Sequence, residues 1–344
     1  MAKSGRRRER HSRKRLGEFG IIARYFAPLA TDTAALGLKD DTAVLRPPEG
    51  QEIVLSCDTI VEGVHFRKKD PPATIAHKAL AVNLSDLAAK GARPYVYLLA
   101  LSLPAEPPRD WLESFADGLR ALQERAGICL AGGDTTEAPG PVSITISVLG
   151  LVPQGHAVLR HGAKPGDRLY VSGTIGDAHL GLRLLEKPAL AKTWGLTKKD
   201  TALAIGRYRA PEPRTDLTLV VRNFAQAAID VSDGLVLDAE KLAQVSHVGA
   251  VIEAQAVPLS AAARKAVKHD PKLLETLIAA GDDYEIVAAV PPPSAEAFEA
   301  EARTKGVAVT AIGRIEDGQG KVRVNGRGGK PLKLARKGFL HFGE

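Results

Sequence analysis

From Ile53 to Val290, short apolar runs rich in β-branched residues alternate with longer amphipathic stretches. A chain written this way must lay helices against a sheet. "EIVLSCD" reads as a strand, and "PPATIAHKALAVNLSDLAAKGARP" as a helix that starts after Pro72 and ends at Gly91, before Pro94. "YVYLLALSL" is a second strand, "RDWLESFADGLRALQERAG" an amphipathic helix, and "ICLAGG" and "VSITISVLGLV" are two further strands. This β–α–β–α–β order predicts an α/β or α+β sheet domain. A Gly/Pro-marked hinge over 153–167 then leads to a second series. There "RLYVSG" is a strand, "GDAHLGLRLLE" a helix, 187–200 a polar loop, and 223–230 the approach to another strand. "DGLVLDAEKLAQVSHVG" is a helix with Gly249 at its end, followed by the strands "AVIEA" and "DYEIVAAV". A chain of 344 residues exceeds what one core usually organises. The expected divisions are a basic tail over 1–15, a first domain over 16–156 and a second over 157–344.

Charge narrows the partners. The net charge is +7, but residues 1–15 hold eight Lys/Arg and one Glu, so residues 16–344 carry equal numbers of basic and acidic side chains. The excess belongs to a tail that reads as a self-repelling, disordered arm, with weak polyanion contact as its only nucleic-acid role. It has no hydrophobic segment of a secretory leader. "YVYLLALSLP" is too short to span a membrane, and the two cysteines, Cys57 and Cys129, sit in strand-like runs. A reducing cytoplasm fits.

The informative residues are acids in short turns. Asp40 and Asp41 precede "TAVL"; Asp58, Asp134 and Asp230 read as strand ends, with Asp233 just behind the last. On the first helix, Asn83, Asp86 and Lys90 border the stripe of Ala76, Leu80, Leu84 and Leu87. One such Asp is usually a turn former or N-cap. Six together in Gly/Ser/Thr-flanked turns point to a ligand crevice. Converging carboxylates need positive charge between them. An all-oxygen set that includes the hydroxyls of Ser56, Thr59 and Ser232 matches Mg²⁺ completed by phosphate. Gly132 and Gly133 allow close backbone approach to a ligand. No zinc-type Cys/His spacing and no dinucleotide glycine fingerprint is present, and "GGK" at 328–330 runs into Pro331 rather than a P-loop.

The motifs "LGEFGII", "DDTAVL", "SCDTIVEGVHF", "AVNLSDLAAKGARP", "GGDTT", "RHGAKPGD", "IDVSDGL", "GDDYEI" and "KGFLHF", in that order across 16–344, resemble the thiamine-monophosphate kinase family. That family lies within the ATP-binding superfamily of aminoimidazole ribonucleotide synthetase-like enzymes. The resemblance implies a two-domain α/β (α+β) fold, pairing of two chains through their N-terminal sheets, and Mg²⁺- and ATP-dependent phosphorylation of thiamine monophosphate. It also implies Asp41, Asp58, Asp86, Asp134, Asp230 and Asp233 as metal-binding acids helped by Ser56 and Cys57. Asp58, Asp86, Asp134 and Asp230 would carry the transfer through the metal. Gly133, Asp134, Arg160 and Ser232 would meet ATP, and His65, Asp282 and Phe339 would meet the acceptor.

Four positions depart from the family pattern: Lys39 replaces Gly, Cys57 replaces Thr, Asp282 replaces Glu, and Ala116 stands where some members carry an aromatic beside the nucleotide. Rival readings are a selenophosphate-forming or hydrogenase-maturation relative, both of which depend on cysteines at positions that lack one here, and a nucleic-acid binder led by the tail.

Overall fold

The computed structural model describes residues 16–341; the basic tail lies outside them. Four strands, β1 (Gln51–Val61), β2 (Arg93–Leu103), β3 (Cys129–Glu137) and β4 (Ser143–Pro153), form one sheet in the order β1-β4-β2-β3. β4 runs antiparallel to both β1 and β2, and β2 and β3 are parallel. The other six, β5 (Arg168–Ser172), β6 (Ala227–Asp230), β7 (Gly249–Glu253), β8 (Ile286–Val290), β9 (Val309–Glu316) and β10 (Val322–Asn325), form a second sheet in the order β10-β7-β9-β5-β8-β6.

After the five-residue helix Gly17–Ile21, the first long helix (the first helix hereafter), Pro72–Ala89, spans its expected range, with Pro near its start and Gly91 just beyond it in a left-handed conformation. Its surroundings differ from the one-sided stripe that its sequence predicts. It is buried almost all round, against β1 and β4 on one side and β6 and the helix Thr218–Phe224 on the other. Alanines at 76, 79, 81, 88 and 89 let both neighbours come close. Even its polar residues Asn83 and Ser85 have no exposed surface, so each must find a partner.

Several local expectations shift. β1 does not stop at Asp58: Thr59, Ile60 and Val61 continue it, and β3 likewise runs through Asp134 to Glu137. β-branched residues after each Asp favour extension over a turn. Asp230 does end its strand. The 187–200 loop contains a short helix and the capping box of the helix Lys198–Arg209, where Thr197 and Asp200 bond reciprocally. The helix Leu235–Val245 ends before Gly249, which instead opens β7.

Candidate active site

The inner face of β1 supplies the first acids. Ser56, Asp58 and Ile60 share one side of the strand, turned toward the first helix. Ser56 Oγ donates to Asp86 Oδ2 at 2.5 Å, and the Asp58 N–H donates to Asn83 Oδ1 at 3.0 Å. From the same helix, Ser85 Oγ donates to Asp230 Oδ2 at 2.8 Å. The helix therefore joins an acid of β1 to an acid at the end of β6.

Behind β6 the chain is laced to two other segments. Asp282 N–H donates to the Ser232 carbonyl, Tyr284 N–H to that of Val231, and Phe339 N–H to that of Asp233, each at 2.8 Å. Gly281 makes the first approach possible, because a Cβ there would lie 2.3 Å from the Ser232 carbonyl oxygen. These segments and β1 enclose a cavity of about 560 Å³. Ser56, Asp58, Asp86, Asp230, Ser232, Asp233 and Arg160 line it, as do His65, Asp282 and Phe339.

Negative charge is crowded here. Burial, with Asp86 and Asp233 nearby, pushes the Asp58 carboxyl up to about 6. Burial, with Asp86 and Asp238 nearby, holds that of Asp230 well above the usual range. Burial lowers the Lys90 ammonium to about 8, with Arg160 contributing. Its Nζ donates to the Ala228 carbonyl at 2.7 Å rather than to an acid. Lys241 bridges Asp233 (2.5 Å) and Asp238 (2.7 Å). Among the described residues, no three His, Cys, Asp or Glu side chains gather into one coordination sphere.

The far end of the cavity is of another kind. Tyr208, His179, Leu182, Val64, Phe339 and His341 line it. The His341 ring centre lies 5.3 Å from that of His65 and 5.0 Å from that of Phe339. His65 Nδ1 accepts the Val61 N–H at 3.0 Å, which leaves the ring proton on Nε2 as a donor. Burial lowers its pKa, so the ring is neutral.

Asp41, Gly133 and Asp134 do not join this cavity, and the single convergent cluster expected from the sequence is divided. They line a second hollow of about 590 Å³ with Asp40, Leu98, Ala100, Thr145 and other residues. Asp134 pairs with Ala100, Ala100 with Thr145 and Thr145 with Thr59, all on the outer face of the sheet. Asp58 lies on the inner face and three strands away, about 14 Å in sheet spacings. The Cys57 thiol also faces outward, accepting from Ser147 Oγ at 3.2 Å, so only its carbonyl is left as a hard donor. Ala116 lines neither hollow but is buried in the core beneath the first sheet. Lys39 is exposed.

Sequence reasoning missed Lys78, Tyr208, Lys241 and His341. Lys241 carried a signal, since it lies one helical turn beyond Asp238 and two beyond Asp233.

Residues 39–152 match the model of the AIR synthase related protein N-terminal domain, and residues 164–325 that of its C-terminal domain. A thiamine-monophosphate kinase of Caulobacter vibrioides is 43% identical over 329 residues, covering 94% of this chain and 90% of that protein. The crystal structure of thiamine-monophosphate kinase from Stenotrophomonas maltophilia K279a is 39% identical with a TM-score of 0.78, covering 89% of this chain and 94% of its own. AaThiL, solved complexed with AMPPCP and TMP, is 31% identical with a TM-score of 0.72, covering 95% of this chain and 97% of its own. With both family models matched in order and such identity sustained over nearly the whole length, the chain belongs to the thiamine-monophosphate kinase family, a two-domain branch of the AIR synthase related proteins.

Proposed function

We propose that this protein transfers the γ-phosphoryl group of ATP to the phosphate of thiamine monophosphate, giving thiamine diphosphate, in one direct in-line step. The observation that carries the reading is the cavity with two unlike ends: crowded carboxylates at one, and a neutral imidazole, Tyr208 and Phe339 toward the other. The acids suit a polyphosphate with its cations, and the aromatic end suits a flat heterocycle.

The donor set fits Mg²⁺. Among the described residues neither Asp58 nor Asp230 has an ion-pair partner; Lys90 lies near Asp230, but burial and the neighbouring acids outweigh it, and the oxygens are hard ligands. Asp58, Asp86, Asp230 and Asp233, with Ser56, would hold ions in the first cavity, and Asp41 and Asp134 in the second. With one or two carboxylates per ion, phosphate oxygens and water fill the remaining positions, as Mg²⁺ prefers. Bound Mg²⁺ supplies charge neutralisation between two anions that must meet. Gly133 and Arg160 are then available to the nucleotide, and Ser232 can donate its hydroxyl.

No side chain needs to act as a general base. A phosphate monoester is mostly dianionic at neutral pH and is already a nucleophile. His65, with its proton on Nε2, is equipped to donate to a phosphate oxygen rather than to abstract a proton. Asp282 and Phe339 complete the acceptor end.

The nucleotide side of this reading calls for a second copy of the chain. The outer face of the first sheet leaves Leu55 (65%), Ile53 (43%) and Leu98 (40%) exposed beside the hollow of Asp41 and Asp134. A contiguous apolar sheet face next to a ligand hollow is suited to isologous pairing. Two chains packed there would close the second hollow. No described helix is long and apolar enough to cross a membrane.

The test is an ADP-release assay with ATP, Mg²⁺ and either thiamine monophosphate or free thiamine, using γ-chiral ATP to read stereochemistry. The expected result is turnover of the monophosphate alone, with inversion at phosphorus. Equal use of free thiamine would refute the acceptor, and retention would refute the single step.

A further inference from the structure

The loop that carries His65 leads out of the first sheet, and the loop that carries Asp282 leads into the second, yet one buried ammonium touches both. Lys78, on the first helix, is 1% exposed. Its Nζ donates to the His65 carbonyl at 2.9 Å and to Asp282 Oδ2 at 2.9 Å, and lies 4.4 Å from the centre of the Tyr208 ring. Burying an ammonium is costly unless its water is replaced. Here a carbonyl, a carboxylate and an aromatic face replace it. A leucine or methionine would fill the same helix position without that cost, so stability alone does not explain a lysine.

Both loops need such an anchor. Asp282 has φ +72° and Tyr284 φ +51°, left-handed conformations that side-chain-bearing residues adopt only when their surroundings hold them. Tyr284 Oη steadies the other carboxylate oxygen of Asp282 at 3.2 Å. The His65 loop is fixed internally by the Val61 N–H to His65 Nδ1 and by the Gly63 N–H to the Phe66 carbonyl. Its far end is tied by Asp70, which accepts from Arg209 Nε at 2.7 Å. Apart from the Asp70–Arg209 pair, which anchors the far end of the His65 loop to the helix Lys198–Arg209, these ties fix each loop in itself. The separation of His65 from Asp282 is set where both meet Lys78.

We infer that Lys78 is a positioning residue for the acceptor, holding His65 and Asp282 at the spacing that the thiamine monophosphate end of the cavity requires. This rests on reading that end as the acceptor site. Replacing Lys78 with methionine frees both loops while leaving the acid cluster and the second hollow untouched.

The experiment measures full-length Lys78→Met, Asp282→Ala and the double variant with ATP, Mg²⁺ and thiamine monophosphate. Lys78→Met should raise KM for thiamine monophosphate at least tenfold, with KM for ATP within twofold and kcat within threefold of wild type. The double variant should be no more than twofold worse than the poorer single, because both substitutions remove one link. A KM for the acceptor within twofold of wild type, an equal rise in both KM values, or multiplicative effects in the double variant would overturn the inference.

Should Lys78→Met fail to fold, hydrogen exchange of Asp282→Ala decides. Amides 62–66 should exchange at least fivefold faster than in wild type, with those of 109–126 unchanged. Unchanged exchange at 62–66 overturns the link. A wild type inactive on thiamine monophosphate would strike the proposed function instead, and the exchange result would still judge the contact.

Discussion

Asp58→Asn should stabilise the metal-free protein while abolishing its activity. The substitution keeps the size of the side chain and the backbone N–H bond to Asn83, and removes one negative charge from beside Asp86 and Asp233. Burial first, and those neighbours second, raise the Asp58 pKa from 3.8 to about 6. At full weight that displacement corresponds to roughly 3 kcal/mol. More than a third of the residue still meets solvent, and screening reduces the cost to about 1 kcal/mol.

The sign follows from linkage. Below the unfolded value the carboxyl is protonated in both states and costs nothing. Between 3.8 and about 6 the folded state loses stability as the pH rises, and above about 6 the full cost is present. The assay is thermal unfolding in EDTA at pH 5 and 7.5. The variant should melt about 2 °C higher at pH 7.5, with a smaller gap at pH 5. Added Mg²⁺ and ATP should reverse the order, because a ligand that binds only the native wild type raises its stability by mass action. Turnover should fall about 10²-fold or more. A variant that melts lower than wild type in EDTA at pH 7.5, or that turns over within threefold of it, would refute the assignment of Asp58 as a charge kept for a cation.

Two further outcomes can be measured directly. Glu285 has no exposed side-chain surface and accepts from Arg207, Arg214 and Ser172. Burial alone would raise its pKa, but the Arg214 and Arg207 contacts hold it below the ordinary 4.5. Glu285→Gln should therefore cost roughly 3 kcal/mol or more in urea unfolding at pH 7. The gap should narrow as the pH falls below 4.5, where the stabilising charge is lost; a gap independent of pH would count against the ion pairs. Leu55→Glu, on the exposed sheet face, should convert a dimer to a monomer in light scattering and weaken ATP binding with little change in monomer stability. A variant that remains dimeric would move the interface elsewhere.

Much of the first sheet and its helices was legible because their limits are written in local chemistry. Pro72 and Gly91 bracket the first helix, and the apolar runs of β2 and β4 leave no other reading. The acids stood out one by one through their motifs, but their division between two hollows did not. Lys78 was not legible, because a lysine within "IAHKALAV" reads as one polar point on a helix assumed to have a wet side. Only the Asp282 loop and Tyr208 of the helix Lys198–Arg209, distant in sequence, cover that side and make the position dry. The order β10-β7-β9-β5-β8-β6 was also out of reach, since most of its neighbours are far apart in sequence.

That Asp134 and Asp58 face opposite sides of the sheet, beyond lying three strands apart, has a more specific cause, which lies in one residue. Strand alternation puts successive side chains on opposite faces, so a regular β3 that starts with buried Leu130 opposite buried Tyr97 would turn Asp134 inward, opposite Leu101. The pairing instead passes from Tyr97–Leu130 to Leu98–Gly132, and Ala131 is the extra residue. That bulge reverses the parity of everything after it. Gly133 then faces inward, where a Cβ would lie 1.9 Å from the Leu99 carbonyl oxygen, so glycine is required. Asp134 faces outward opposite Ala100, beside Asp41. A periodicity count cannot locate such a bulge, because Ala131 and Gly132 carry too little side chain to declare a face. The glycine pair that marks this segment as ligand-binding also hides which side of the sheet the ligand is on.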